Sequence, residues 1–267
     1  VVGDEHLWAV QSRKQVKMGS TNRYVWTTKE LASKKLILAD GGYNYRIPMV
    51  SPVQYDKHDL PIEPYTLGVR LANGSLSEGN SLFTTNDTDV VGCVVNLNLD
   101  LMVKEHAPSS ARRWYISGEN RGHNPVRQAL RDLGLAGMTS HHKFIPETYL
   151  RATAEERLLV LQGLLDCDSS SGLNREEQEV RHHKGNVRYF TRSAFLADGV
   201  PEVVQSLGGT ASIVSAIDGD GQTDSIVSIV LPTSISPSLS AQKQLARQQS
   251  RGHREPVSST GTIEADG

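Results

Sequence analysis

Two short apolar stretches of this chain each carry a glycine where a helix ordinarily avoids one. Thr66-Leu67-Gly68-Val69-Arg70-Leu71-Ala72-Asn73-Gly74 and Leu161-Gln162-Gly163-Leu164-Leu165-Asp166-Cys167-Asp168-Ser169 align by Gly68 and Gly163, which sets Asn73 and Asp168 at the same place, 95 residues apart. A glycine inside a helix costs about 1 kcal/mol relative to alanine, so two at matched positions ask for a reason. Close backbone approach between two helices supplies one. If the helices lie side by side in parallel, their C-terminal ends converge. A carboxylate there adds its charge to the negative end of a helix dipole, a poor place for an anion and a good place to hold a divalent cation.

The rest of the chain divides around these stretches. Residues 1 to 60 read as short strands and turns, with Leu7, Trp8 and Val10, then Tyr24 to Thr28, as β-formers and Pro48, Pro52 and Pro61 as punctuation. A helix is expected to open at Glu63-Pro64 and stop at Gly74, since proline suits the first helical position. From 75 to 117 the pattern is mainly strand and loop, including the run Val90 to Leu97 and then Trp114 to Ile116. Pro125 to Leu133 reads as a helix closed by Gly134. Thr153-Ala154-Glu155-Glu156 is a capping box that opens the second glycine-bearing helix. Val187 to Phe190 and Ile226 to Leu231 read as strands, and Pro201 to Leu207 as a short helix. From Thr233 the composition turns to Ser, Gln, Gly and Pro, with Lys243, Arg247, Arg251 and Arg254 in a basic run, and a frayed end is expected.

Composition narrows the function classes. The 28 basic and 30 acidic residues give a net charge of −2, which argues against a uniformly basic coat but leaves room for a local patch. Between Arg112 and Arg151 lie Arg112, Arg113, Arg121, Arg127, Arg131, Lys143 and Arg151 against Glu119, Asp132 and Glu147, an excess of four. Cys93 and Cys167 are too few for a disulfide scaffold, so a reducing, cytoplasmic setting is the expectation, and no run of ~18 apolar residues suggests a membrane span. The pairs His141-His142 and His182-His183 lack the partner spacing of a zinc site. Asp218-Gly219-Asp220 begins like a calcium loop but lacks its closing glutamate, and reads better as a hairpin turn.

These residues carry a family resemblance. Leu161 to Asp168 resembles the LAGLIDADG (DOD-type, dodecapeptide) motif of homing endonucleases embedded in inteins, and Thr66 to Gly74 resembles its first copy. Lys143-Phe144-Ile145-Pro146 resembles the segment that precedes the second motif, and Tyr189 to Ala197 with Val204 to Gly209 resembles the tail of the second repeat. More weakly, Gly3-Asp4-Glu5-His6-Leu7-Trp8, Trp26 to Leu31 and Tyr45 to Pro48 resemble parts of the Hint (splicing) domain, with His6 at the motif histidine. No Cys or Ser splice nucleophile stands at the start of this sequence and no His-Asn pair at its end, so it is not expected to splice as it stands.

The resemblance implies an α/β (α+β) fold: two pseudo-symmetric αββαββ repeats forming a DNA-binding saddle, after a β-rich Hint remnant. The expected organisation is that remnant over 1–60, a first repeat over 61–152, a second over 153–232, and a basic tail or further remnant over 233–267. It also implies a monomer in a prokaryotic or phage-host cytoplasm that hydrolyses phosphodiester bonds of double-stranded DNA with Mg2+. Asp168 and Asn73 take the metal-binding positions, Lys143 and Lys184 the catalytic lysine positions, and Gly68 and Gly163 the helix contact. Arg112, Arg113, Arg121, Arg127, Arg131, Arg181 and Arg188 are the expected DNA-binding residues. Asn73 is the departure: an amide oxygen can bind Mg2+ but brings no charge, so cleavage is expected to be weak, confined to one strand, or lost. The competing expectations are a remnant that binds DNA without cutting it, and a fragment of a splicing element.

Overall fold

The structure, a computed structural model, describes residues 3–77, 81–106, 111–118, 124–170, 187–217, 221, 223–232, 234–241, 243–244 and 260–261. The chain separates into two compact units, residues 1–51 with 257–267 and residues 52–256. In the first unit, β1 (Leu7–Ser12) runs into α1 (Arg13–Lys17), and β2 (Tyr24–Thr27) into α2 (Thr28–Ala32), before β3 (Tyr45–Pro48). Both helices start on capping boxes, Ser12 with Gln15 and Thr27 with Glu30, so the sequence itself turns each strand into a helix. β1 pairs antiparallel with β2 and β3, and Trp8 donates its indole N–H to the Thr28 hydroxyl at 3.0 Å.

The second unit opens with α3 (Pro64–Asn73), then β4 (Leu82–Thr84), α4 (Thr88–Leu97), β5 (Leu101–His106), β6 (Arg113–Gly118) and α5 (Pro125–Asp132). After α6 (Glu147–Leu150) come α7 (Ala154–Asp168), β7 (Ser169–Ser170), β8 (Val187–Thr191), α8 (Ala194–Ser206), β9 (Thr210–Ile217) and β10 (Thr223–Val230). The last strand, β11 (Thr260–Gly261), belongs to the first unit, where it pairs antiparallel with β3.

The two halves of the second unit have one plan. In one half the sheet order is β7-β8-β10-β9; in the other it is β4-β6-β5, extended by an isolated bridge between Gly74 and Phe83 where β7 has its counterpart. α3 and α7 precede the sheets, and α4 and α8 sit between the strand pairs. The fold is therefore a mixed α/β duplication of an αββαββ repeat. Both motif helices lie at its centre: Tyr65, Leu67, Val69, Val160, Leu161 and Leu164 are all 0% exposed.

Glu63 starts α3 by accepting from the N–H groups of Tyr65 and Thr66 at 2.9 and 2.7 Å. α7 begins on the Thr153–Glu156 box, in which Glu156 accepts from the Thr153 N–H at 3.0 Å.

Two expectations are corrected. Val90 to Leu97 is helix, not strand: Asp87 caps its start through the Asp89 N–H, and Val90, Val91 and Val94 are buried at helical spacing. The apolar run alone does not separate a strand from a buried helix. α8 begins seven residues before Pro201, because Ser193 accepts from the Leu196 N–H and opens the helix there. The stretch 234–241, in the segment that reads as a basic tail, is held in the fold, and most of the end where fraying is expected, 258–259 and 262–267, lies outside the described residues. Ser238 and Ser240 are 3% and 0% exposed, and this stretch packs against α7. The expected turn at 218–222 falls between β9 and β10, which pair from Ile217 with Thr223 onward; residues 218–220 and 222 lie outside the described residues.

Candidate functional site

Gly68 and Gly163 meet. A Cβ placed on Gly68 would lie 2.3 Å from the Val160 carbonyl oxygen and 3.0 Å from the Gly163 Cα; one placed on Gly163 would lie 2.2 Å from the Tyr65 carbonyl oxygen. Any side chain at either position would have to displace main chain. The contact is reciprocal, as expected of two helices related by a pseudo-twofold axis.

A lysine closes each helix. Lys143 donates to the carbonyl oxygens of Ala72 and Gly74 at 3.1 and 2.9 Å, and Lys243 donates to those of Leu165 and Asp166 at 3.0 and 2.6 Å. The last carbonyls of a helix have no partner within it, and an ammonium there also answers the negative end of the dipole. Lys143 is held from its main chain: its carbonyl accepts from the Ser193 hydroxyl at 2.6 Å, and Ile145 beside it is buried.

The electrostatics join the two ends. Burial pushes the Lys143 pKa down to about 8, against the pull of the Asp168 carboxylate, and Arg70 adds to the fall. Burial raises the pKa of Asp168, opposed by Lys143 and Lys243. Lys143 caps α3 and yet acts on the terminal carboxylate of α7, so the two C-terminal ends lie together, as parallel packing requires. At these ends stand the Asp168 carboxylate, the ammonium groups of Lys143 and Lys243 and the half-buried Asn73. Among the described residues no group of three His, Cys, Asp or Glu side chains comes together as a ready metal cage.

The other expected residues divide by position. Arg113 is exposed on β6, opposite His106 on β5, and Arg131 is exposed on α5; neither belongs to any ion pair among the described residues. Arg188 is on β8, opposite Ser228. Arg112 is held bidentate by Glu105 at 2.8 and 2.9 Å and lies over the Trp114 ring. Arg127 donates to the Tyr115 hydroxyl at 2.8 Å. Much of the cationic excess between 112 and 151 is thus engaged within the fold. His6, in the first unit, sets its ring edge-on to Trp8 at 4.6 Å. Arg121, Arg181 and Lys184 lie outside the described residues.

Lys243 was legible only as one of four cations in a basic tail. The signal that could have found it is its offset: Lys143 follows Asn73 by 70 residues, and Lys243 follows Asp168 by 75.

No family model and no curated protein sequence matches this chain. Among solved structures, it aligns with the homing endonuclease I-DmoI. A point variant of I-DmoI bound to its target DNA with manganese gives a TM-score of 0.43 at 12% identity, over 64% of this chain and 87% of that one. The I-DmoI complex with DNA and manganese gives 0.43 at 11%, over 73% and 98%. The mesophilic I-DmoI variants give 0.41 at 12%, over 71% and 94%.

Proposed function

We propose that this chain is an intein-derived LAGLIDADG DNA endonuclease with one carboxylate where two are usual, cutting one strand of its target or cutting weakly. The observation that carries the reading is the contact of Gly68 with Gly163, which brings two helix ends together with Asp168, Asn73, Lys143 and Lys243 around them. That is a centre for phosphate chemistry: two fixed cations face developing negative charge, and a carboxylate is positioned for a divalent metal.

The donor set fits Mg2+, a hard cation that takes oxygen ligands and is commonly held by one or two carboxylates with substrate phosphates completing its shell. Asp168 and the Asn73 amide oxygen would hold it. Bound there, Mg2+ would neutralise charge on the phosphate and acidify a water. With a single carboxylate and no preformed cage, metal affinity should depend on DNA. Lys143 and Lys243 orient and neutralise the phosphate from the two helix ends. Arg113 and Arg188, on strands of the two sheets, and Arg131 would contribute backbone contacts. One chain supplies both helices, so a monomer suffices.

The test is a supercoiled plasmid bearing the intein-free insertion site, incubated with Mg2+ and the unmodified chain or Asn73→Asp. Nicked circles from the first and linear product from the second are expected. Robust linearisation by the unmodified chain, or an Asn73→Asp chain that binds the site and cuts no better, would overturn the reading.

The intein origin is supported by topology. β11 completes the sheet of the first unit next to β3, so residues 52–256 form an insertion between segments of one sheet. The splicing-element reading predicts a Cys-initiated segment just upstream in the gene and a His-Asn pair just downstream.

A further inference from the structure

The first acid of the second motif, Asp166, is not available to a metal. Its side chain is buried, and both oxygens are occupied: Oδ1 accepts from the Ser238 hydroxyl, and Oδ2 from the Tyr65 hydroxyl at 3.0 Å, the Leu239 N–H at 3.0 Å and the Ser240 N–H at 3.1 Å. Three of these four donors come from one tight stretch of chain beyond the second repeat. The same stretch is pinned at two further points, Gln162 donating to the Ser236 carbonyl at 2.8 Å and the Ser240 hydroxyl to Asp87, the cap of α4, at 3.2 Å, and it is closed on itself by Gln244, which donates to the Ser238 carbonyl at 2.8 Å. Directly after it comes Lys243, with its ammonium on the last carbonyls of α7.

We propose that residues 236–241, with Lys243 and Gln244, are a strap docked by Asp166, and that Asp166 is a positioning residue that sets Lys243 at the end of α7. This rests on the nuclease reading for the role of Lys243, but the docking itself does not. A buried carboxylate is retained only where donors replace its lost water, and here the strap supplies most of them. The arrangement is one-sided. The residue equivalent to Asp166 in α3 is Leu71, which cannot hold a strap, and Lys143 is anchored instead through Ser193. The repeats therefore fix their lysines by different means. The one in the second half depends on a segment outside the duplicated unit, tied to both halves through Asp166 and Asp87.

The test compares the full chain with Asp166→Asn, Ser238→Ala and Lys243→Met by amide hydrogen exchange, reading peptides over 236–244 against those over 64–73 and 154–166. Losing hydrogen bonds to a carboxylate should raise exchange in the strap on the order of tenfold. Asp166→Asn and, more mildly, Ser238→Ala should do so while both helices stay protected, and Lys243→Met should leave the strap docked. Unchanged strap protection in Asp166→Asn and Ser238→Ala, or equal loss over the helices in both, overturns the proposal. In an Asn73→Asp background, Asp166→Asn should slow cleavage, and the Asp166→Asn/Lys243→Met pair should be no slower than Lys243→Met alone. Multiplying losses would overturn the positioning role. If no variant cuts DNA, the nuclease reading fails while exchange still decides the docking.

Discussion

Lys143 carries most of what a single residue tells about this centre. Its ammonium is buried against two carbonyls with its pKa lowered to about 8, so the folded protein binds that proton less tightly than the unfolded chain. Below pH 8 both states hold the proton and folding bears a constant penalty; between about 8 and 10.4 only the unfolded state holds it, so stability rises with pH. Urea unfolding at intervals across that window should show the chain gaining stability relative to Lys143→Met, and a flat difference would show that the lysine titrates normally. Asp168→Asn should abolish any Mg2+-dependent nicking, because it removes the terminal carboxylate of α7, while Asp166 is taken up by hydrogen bonds; persistent nicking at more than a few per cent of the original rate would move the chemistry elsewhere. Residues of this kind were legible in sequence to unequal degrees. Asp168, Asn73 and Lys143 stand at fixed offsets from the glycines. Lys243 is marked only by a distant and inexact offset, 75 residues after Asp168 against 70 for Lys143 after Asn73, because its position is made by the strap, a long-range contact that no local pattern encodes. The arginines between 112 and 151 were legible as charge, but not as charge already engaged by Glu105, Tyr115 and Glu202.

Helices show how far one residue type can mean opposite things. Gly68→Ala would push a Cβ to 2.3 Å from a main-chain oxygen, and overpacking against backbone costs about 1–3 kcal/mol or more. A contact this close to main chain puts the cost at the upper end of that range, above the ~1 kcal/mol gained in helix propensity, so a net loss of roughly 2 kcal/mol in urea unfolding is expected, with site binding lost as the helices part. Gly92, inside α4, meets nothing within 4 Å of a Cβ, and Gly92→Ala should stabilise by about 0.5–1 kcal/mol. The reverse outcome for the pair would show that Gly68 is not kept for close approach. The same contrast explains what sequence could read. The paired glycines betrayed α3 and α7 through their matched surroundings. The valine run of α4 was ambiguous, because a buried helix and a buried strand are both simply apolar. In α8 the proline reads as a helix start yet stands in the helix interior, and the signal at the true start is one serine, Ser193.

The whole molecule is two units, one inserted in the sequence of the other, since a strand near the end of the chain completes a sheet begun near its start. The acid–base balance differs between them: the first, residues 1–51 with 257–267, holds eight basic against six acidic side chains, and the second twenty against twenty-four. Pulse proteolysis of ribosome-stalled chains is the informative measurement at this scale. A chain emerged as far as residue 250 should protect 62–232 while β1 to β3 remain cleavable, because a three-stranded sheet of such short strands is marginal alone. Early protection of residues 7–48 would mean that β11 adds little. Synthesis thus imposes an order on this protein: the host sheet is started first and closed last, and everything translated between must fold while its two ends are still unjoined.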